Sequence, residues 1–227
     1  LTFGLGEDYS LQFDGVDDYV RVFDVEGLNP DGLSVSTWFK PLEYSNQVIV
    51  GNGPDAAWGY NWAYKWRGEG DNLYFTIYGY SGGVLEGITV IFPIIELNRW
   101  HHLATTFDGS TLVGYLNGVP VDSSYNTISI NYNNEPIDIG SGNASSEYFK
   151  GNIDEITIWD YAISEQEIQM MLENNLTGNE EGLLGYYKFN AGQDNTLYDH
   201  SGNGNHGTIY GATWAGCTDE NSCDYLP

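Results

Sequence analysis

Two stretches of the chain carry residues whose types and spacing could do chemistry. In the first, Trp58, Tyr60, Trp62, Tyr64 and Trp66 fall on every second position. A strand repeats every two residues, so one strand would place all five rings on one face. A polar connection, 67–72, follows, and a return strand starts at Leu73. That strand alternates Leu73, Phe75 and Ile77 with Tyr74, Thr76, Tyr78 and Tyr80. Two registers are open. With Trp66 opposite Tyr74, the row joins Tyr74, Tyr78 and Tyr80 in one aromatic surface able to stack on a flat ligand. With Trp66 opposite Leu73, the row points into a core. One residue of slip exchanges the two faces. Burial would oblige each indole N–H and phenol O–H to find a partner, which favours a platform for at least some of the rings. In the second stretch, Asp199, Ser201, Asn203 and Asn205 offer oxygens at alternate positions, with Gly202 and Gly204 between them. Such oxygens suit a hard cation such as Ca²⁺. They equally suit an Asx-turn loop that holds no metal.

Other reactive side chains lack partners at useful spacing. His101 and His102 are adjacent and face opposite ways in a strand, so they cannot chelate one ion together. His200 and His206 flank the Gly-Asn loop without zinc-type spacing. A retaining glycosidase needs two carboxyl groups about 5–5.5 Å apart. The nearest stretch, 154–160, gives Glu155 only Thr157 and Trp159 as same-face neighbours, and Asp154 shares its face with Ile156 and Ile158. No catalytic pair is read, and the chain is expected not to be an enzyme.

Composition narrows the partners. The 227 residues contain 7 Lys and Arg against 32 Asp and Glu, a formal charge of −25. The basic footprint of a nucleic-acid binder is absent. Anionic membranes, and sulfated or uronic polysaccharides without a bridging Ca²⁺, should be repelled. No apolar run is long enough for a membrane-spanning helix, so membrane insertion is not expected. The two cysteines, Cys217 and Cys223, lie in the last residues, so the fold does not depend on a disulfide. The abrupt start at Leu1 and the changed texture from Gly216 suggest a piece of a larger multidomain protein. The expected division is a domain over 1–215 and the start of a linker or following module over 216–227.

The elements that must position these residues are short strands. Alternation or apolar runs mark 9–13, 19–23, 33–39, 47–50, 87–92, 100–107, 111–116, 119–121, 136–139, 153–159, 183–189 and 208–210, besides the aromatic hairpin. Asp108-Gly109 and Asn117-Gly118 are tight-turn signals. Ser164 followed by Glu167 is a capping box opening one helix over about 165–173. Many short strands separated by turns indicate a sandwich or barrel.

Several of these segments, in order, resemble a known family. They are LQFDGVDDYV at 11–20, LSVSTWF at 33–39, WHHLA at 100–104 with DGST at 108–111, LNGV at 116–119, GNIDEITIWD at 151–160, GLLGYYKF at 182–189 and DHSGNGNHG at 199–207. Together they resemble LamG-like (laminin-G/pentraxin-like) domains of the type found in secreted marine Bacteroidetes proteins. The resemblance spans about residues 8 to 214. It implies an all-β, concanavalin A-like jelly-roll sandwich of two antiparallel sheets with one short helix. It also implies a lectin-like module, secreted or on the cell surface, with a structural Ca²⁺ at Asp199, Ser201, Asn203 and Asn205. Asp17, Asp14 and Asp154 are the candidates to complete that shell from across the fold. A pentraxin-like second site would use Asp55 and the loop 141–147, but the family's acidic cluster is missing there. The function expected is non-catalytic binding of a polysaccharide by Trp58, Tyr60, Trp62, Tyr64, Trp66, Tyr74, Tyr78 and Tyr80. The alternative is a calcium-stabilised adhesion or protein–protein interaction domain.

Overall fold

The computed structural model describes residues 9–23, 26–43, 46–53, 62–132, 134–142, 144 and 146–216. Two antiparallel sheets face each other. The first runs β10 (Val119–Tyr125), β9 (Thr111–Leu116), β8 (His101–Phe107), β3 (Leu33–Pro41), β13 (Lys150–Trp159), β1 (Tyr9–Asp14) and β17 (Thr213–Gly216), with β14 (Leu183–Tyr187) also paired to β13. The second runs β11 (Ser129–Ile130), β6 (Asn72–Ser81), β5 (Tyr64–Glu69), β4 (Gln47–Asn52), β12 (Ile137–Ile139), β2 (Tyr19–Val22), β16 (Gly207–Tyr210) and β15 (Thr196–Leu197), with β7 (Val84–Phe92) on the other edge of β6. This is the all-β, two-sheet sandwich expected from the strand pattern. The short pieces β11, β15 and β17 carry too little alternation to be read from sequence.

The core lies between the sheets. Alternate residues of each strand fill it: Leu11 and Phe13 from β1, Val35 and Phe39 from β3, Val20 and Val22 from β2, Ile153, Ile156 and Ile158 from β13. In β13 the alternation breaks between Asp154 and Thr157, where the register with β3 shifts. Glu155 takes a left-handed backbone, φ 47°, which absorbs the extra residue. The bulge lets both Ile153 and Ile156 face inward.

A second, smaller cluster covers the outer face of the first sheet. Helix α1 (Glu165–Glu173) is opened by the expected capping box, in which Ser164 and Glu167 satisfy each other's backbone N–H. Its buried residue is Ile168, which packs with Ala104, Tyr115, Trp159, Ile163, Leu183 and Tyr186. Among the described residues no helix packs on the outer face of the second sheet. The helix thus makes the two outer faces unequal among the described residues. No helix among the described residues is long and apolar enough to cross a membrane.

Candidate functional site

The register of the β5–β6 hairpin decides where the aromatic row goes. Trp66 pairs with Phe75, Tyr64 with Ile77, and Gly68 with Leu73. Tyr64 and Trp66 therefore share the inward face with Leu73, Phe75 and Ile77, and both are fully buried. Trp66 lies 5.1 Å from the Phe75 ring and Tyr64 6.1 Å from it. This corrects the reading of Tyr64 and Trp66 as ligand platform: they are core. The argument from buried polar tips fails here, because the Tyr64 hydroxyl and the Trp66 indole N–H are buried without a hydrogen-bond partner. Each such group costs about 1–3 kcal/mol, which the packing of a large ring in the core offsets.

Trp62 behaves differently. Strand β5 starts at Tyr64, and Ala63 is also inward and buried. Two successive inward residues break the period of two, so Trp62 crosses to the outer face of the second sheet. Its ring lies on Gly51 and Gly53: a Cβ at those positions would fall 2.6 and 2.4 Å from ring atoms. Any side chain there would displace the indole. The Lys65 ammonium stands 4.6 Å from the ring centre. Trp62 is only 4% exposed, so it contributes a floor rather than an open stacking surface. Trp58 and Tyr60 lie outside the described residues, as does Asp55.

The outer face itself is built from alternate residues. From β6 come Tyr74, Thr76 and Tyr78, half-buried, and Tyr80, exposed. From β5 come Lys65 and Arg67, which pair with Thr76 and Tyr74. Across the middle of the sheet, register aligns Thr89, Thr76, Lys65, Gly51, Asp138, Arg21, Thr208 and Thr196 in one row. Strand spacing puts Tyr78 of β6 about 19 Å from β2, four strands away. At that end Tyr19 stacks on Tyr210 with ring centres 4.5 Å apart. Arg21 and Asp138 form a bidentate ion pair, Nε to Oδ1 2.7 Å and Nη2 to Oδ2 2.8 Å. The guanidinium is flanked by the Tyr19 and Phe23 rings, each 5.8 Å away. Arg67 is held by Glu147 at 2.8 Å and Glu69 at 3.2 Å. Burial pushes the Lys65 ammonium below its ordinary pKa.

Sequence reasoning singled out Tyr74, Tyr78 and Tyr80 but missed Tyr19, Arg21, Phe23, Asp138 and Tyr210. A signal existed: Tyr19, Arg21 and Phe23 alternate within one strand, as the aromatic row does. Nothing local marked Asp138, whose partner is 117 residues away.

The carboxylates fall into separate places. Asp199 accepts from the backbone N–H groups of Tyr186 and Ser201 on Oδ1, and from the Ser201 hydroxyl and the Asn205 N–H on Oδ2. The Asn203 and Asn205 amides donate to the Leu184 carbonyl. Donors surround Asp199 on both oxygens, the arrangement of an Asx-turn loop, so the loop as folded does not fit a cation. Asp17 is not near it. It precedes the Tyr19 end of β2, whereas Leu197, ahead of Asp199, joins the sheet at the Val22 end. Asp154 is fully buried on the first sheet's outer side, where Oδ1 accepts the Glu155 N–H. The acids that do come together are Asp14, Asp17 and Asp18, with oxygens within 4.8 Å. Burial first, then Asp14 and Asp17, raise the Asp18 carboxyl above its usual range.

Comparison with known proteins agrees with this architecture. Residues 14–169 match the laminin-G-type model of the concanavalin A-like lectin/glucanases superfamily. No curated protein matches. A Bacteroides ovatus protein provisionally assigned as carbohydrate binding superposes with a TM-score of 0.69 at 20% identity, over 95% of this chain and 61% of that one. The chain thus spans about three fifths of that protein's length. The heptameric SAP-like pentraxin of Limulus polyphemus gives 0.52 at 17% identity, over 73% of this chain and 82% of that one. The receptor-binding domain of botulinum neurotoxin mosaic serotype C/D gives 0.58 at 16% identity, over 75% and 43%. At these identities the likeness is one of fold, and the family match covers more than half of the sequence. The chain belongs to the laminin-G-type family of the concanavalin A-like lectin/glucanases superfamily.

Proposed function

We propose that this chain is a non-catalytic, extracellular glycan-binding module and that the outer face of its second sheet is the binding surface. One observation carries the reading: that face is free of the helix and presents Tyr74, Tyr78 and Tyr80 at one side and the Tyr19–Tyr210 stack at the other. Between them runs the row of threonines and cations. Rings take the apolar faces of sugars, while hydroxyl and ammonium groups bond the sugar hydroxyls. A length of about 19 Å accommodates a chain rather than a single ring. The superfamily includes lectins and glucanases, and the Bacteroides ovatus relative supports the lectin side. Among the described residues, the carboxylates Asp138 and Glu147 on this face are each bound to an arginine. Calcium belongs to this reading as a structural ion, with Asp14, Asp17 and Asp18 as its proposed carboxylates, whose oxygens lie within 4.8 Å of one another in the loop beside Tyr19.

The test is glycan-array binding by the wild type and by the Tyr74→Ala/Tyr78→Ala double variant, with and without chelator. The expected result is a polysaccharide hit that survives chelation and weakens about five- to thirty-fold in the variant, the range of interface aromatics, with an unchanged melting temperature. Turnover of a bound polysaccharide would defeat the non-catalytic part.

A second reading, adhesion through protein contact, draws on a different place. Ile91, Ile94 and Val119 are 50%, 70% and 59% exposed along β7, the segment after it, and β10. There Asp122 accepts the Ile91 N–H and closes the gap between the two sheet edges. A silent array, with the fold intact by circular dichroism, would favour that reading.

A further inference from the structure

Resting on the glycan reading, we propose that Lys65 makes this face selective for sugars bearing an anionic substituent, carboxylate or sulfate. The three cations of the face are not equivalent. Asp138 neutralises Arg21 through two hydrogen bonds. Glu147 and Glu69 hold Arg67. Lys65 makes no hydrogen bond or ion pair to any described residue; its ammonium stands over the Trp62 ring, with Glu147, Arg67 and Glu69 within electrostatic reach.

The ring fixes where the ammonium sits, but an indole face replaces little of the water that burial removes. The ammonium's three N–H donors meet no acceptor among the described residues and remain accessible to solvent in the middle of the row. Thr76 pairs with Lys65 and carries a hydroxyl 3.0 Å from that of Thr89. Gly51, the pair on the other side, adds no side chain. A ligand lying across the row meets hydroxyl groups, tyrosine rings and one ammonium whose neighbouring carboxylates, Glu147 and Glu69, are bound to Arg67. An anion on the sugar would complete that charge and relieve its desolvation, which a neutral sugar hydroxyl does less well.

The formal charge of −25 opposes any anionic ligand at long range. At physiological ionic strength the Debye length is about 8 Å, so charges farther away are screened and the contact pair decides. The selectivity is accordingly expected to sharpen as salt rises from a few millimolar to physiological levels. At still higher salt the contact itself weakens.

The experiment is calorimetric titration of the whole chain at physiological salt with three probes of equal length: galacturonate, sulfated galactose and neutral galactose oligosaccharides. Each is run against wild type, Lys65→Met and Lys65→Arg, with melting temperature as the folding control. Lys65→Met keeps the hydrocarbon cover on Trp62 and removes only the charge. The expected result is preference for one of the anionic probes, lost by roughly ten-fold or more in Lys65→Met and largely kept in Lys65→Arg. Burial lowers the Lys65 pKa against the pull of Glu147, with Arg67 adding to the fall and Glu69 opposing it, so affinity for the anion should also decline in alkaline buffer sooner than an ordinary lysine would allow. The probe that binds identifies the anion as carboxylate or sulfate. Equal affinity for the neutral probe, or unchanged anion binding by Lys65→Met, would overturn this inference and leave the glycan reading standing. Silence of all three probes here and of the wider array would remove both.

Discussion

His102 shows how far burial alone can move a side chain. It lies on β8 facing the outer side of the first sheet, 2% exposed, with its ring 5.2 Å from that of Trp38. Burial pushes its imidazole from 6.5 down to about 3, so the folded protein holds it neutral. The folded pKa lies below the unfolded one. Stability is therefore complete above pH 6.5 and drains away as the pH falls toward 3. The loss accumulates at about 1.4 kcal/mol per pH unit, so His102 removes about 2 kcal/mol by pH 5. Urea unfolding of wild type at pH 7 and pH 5 should show this difference, and His102→Gln should lack it. A Gln variant as acid-sensitive as the wild type would mean that other groups cause the effect. Lys65 is a milder case at the same scale: partial burial lowers its pKa while Glu147 opposes the shift.

At the scale of the element, the β5–β6 hairpin carries the main result. Its two strands share one alternation from Tyr64 to Glu69, and that alternation buries Tyr64 and Trp66. The break at Ala63 turns Trp62 outward, and the missing side chains of Gly51 and Gly53 make room for it. Gly53→Ala tests this arrangement, since the new Cβ would lie 2.4 Å from the indole. The ring must leave its seat, at a cost of roughly 1–3 kcal/mol, as for other overpacked sites. The tryptophan emission should shift to longer wavelength, and the Lys65 ammonium should lose its contact. An unshifted spectrum with unchanged stability would contradict the packing of Trp62 on β4. Helix α1 acts at this scale too: it packs on one sheet's outer face, and among the described residues no helix packs on the other's.

For the whole molecule, the Arg21–Asp138 pair ties β2 to β12 across 117 residues of sequence. Asp138 is 1% exposed and Arg21 8%, so neither charge tolerates being left alone. Asp138→Ala should cost roughly 3–5 kcal/mol by stranding the guanidinium. The double variant Arg21→Met/Asp138→Leu should recover most of that loss, because an apolar pair of similar volume avoids the buried charge. Denaturant midpoints of the three proteins decide the matter. A double variant as unstable as the single one would show that the pair does more than neutralise itself. The same molecule carries a large negative charge, yet it concentrates Arg21, Lys65 and Arg67 on one face. Global charge therefore says little about what that face will accept.

Much of this was legible in the residues themselves. Period-two alternation located most strands, Asp-Gly and Asn-Gly marked the turns, and Ser164 with Glu167 opened the helix. Motifs in order from 11–20 to 199–207 pointed to the family. These signals are local: each depends on neighbours within a few positions, so sequence by itself determined them. The face on which Tyr64, Trp66 and Trp62 finally lie was decided by the tertiary structure. A period of two states which residues are together but not which side is inside, and the answer depends on pairing partners across the sheet. Asp138 beside Arg21 and the saturated carboxylate of Asp199 are of the same kind. Each arises from a contact between segments far apart in the chain, where no local pattern records the partner.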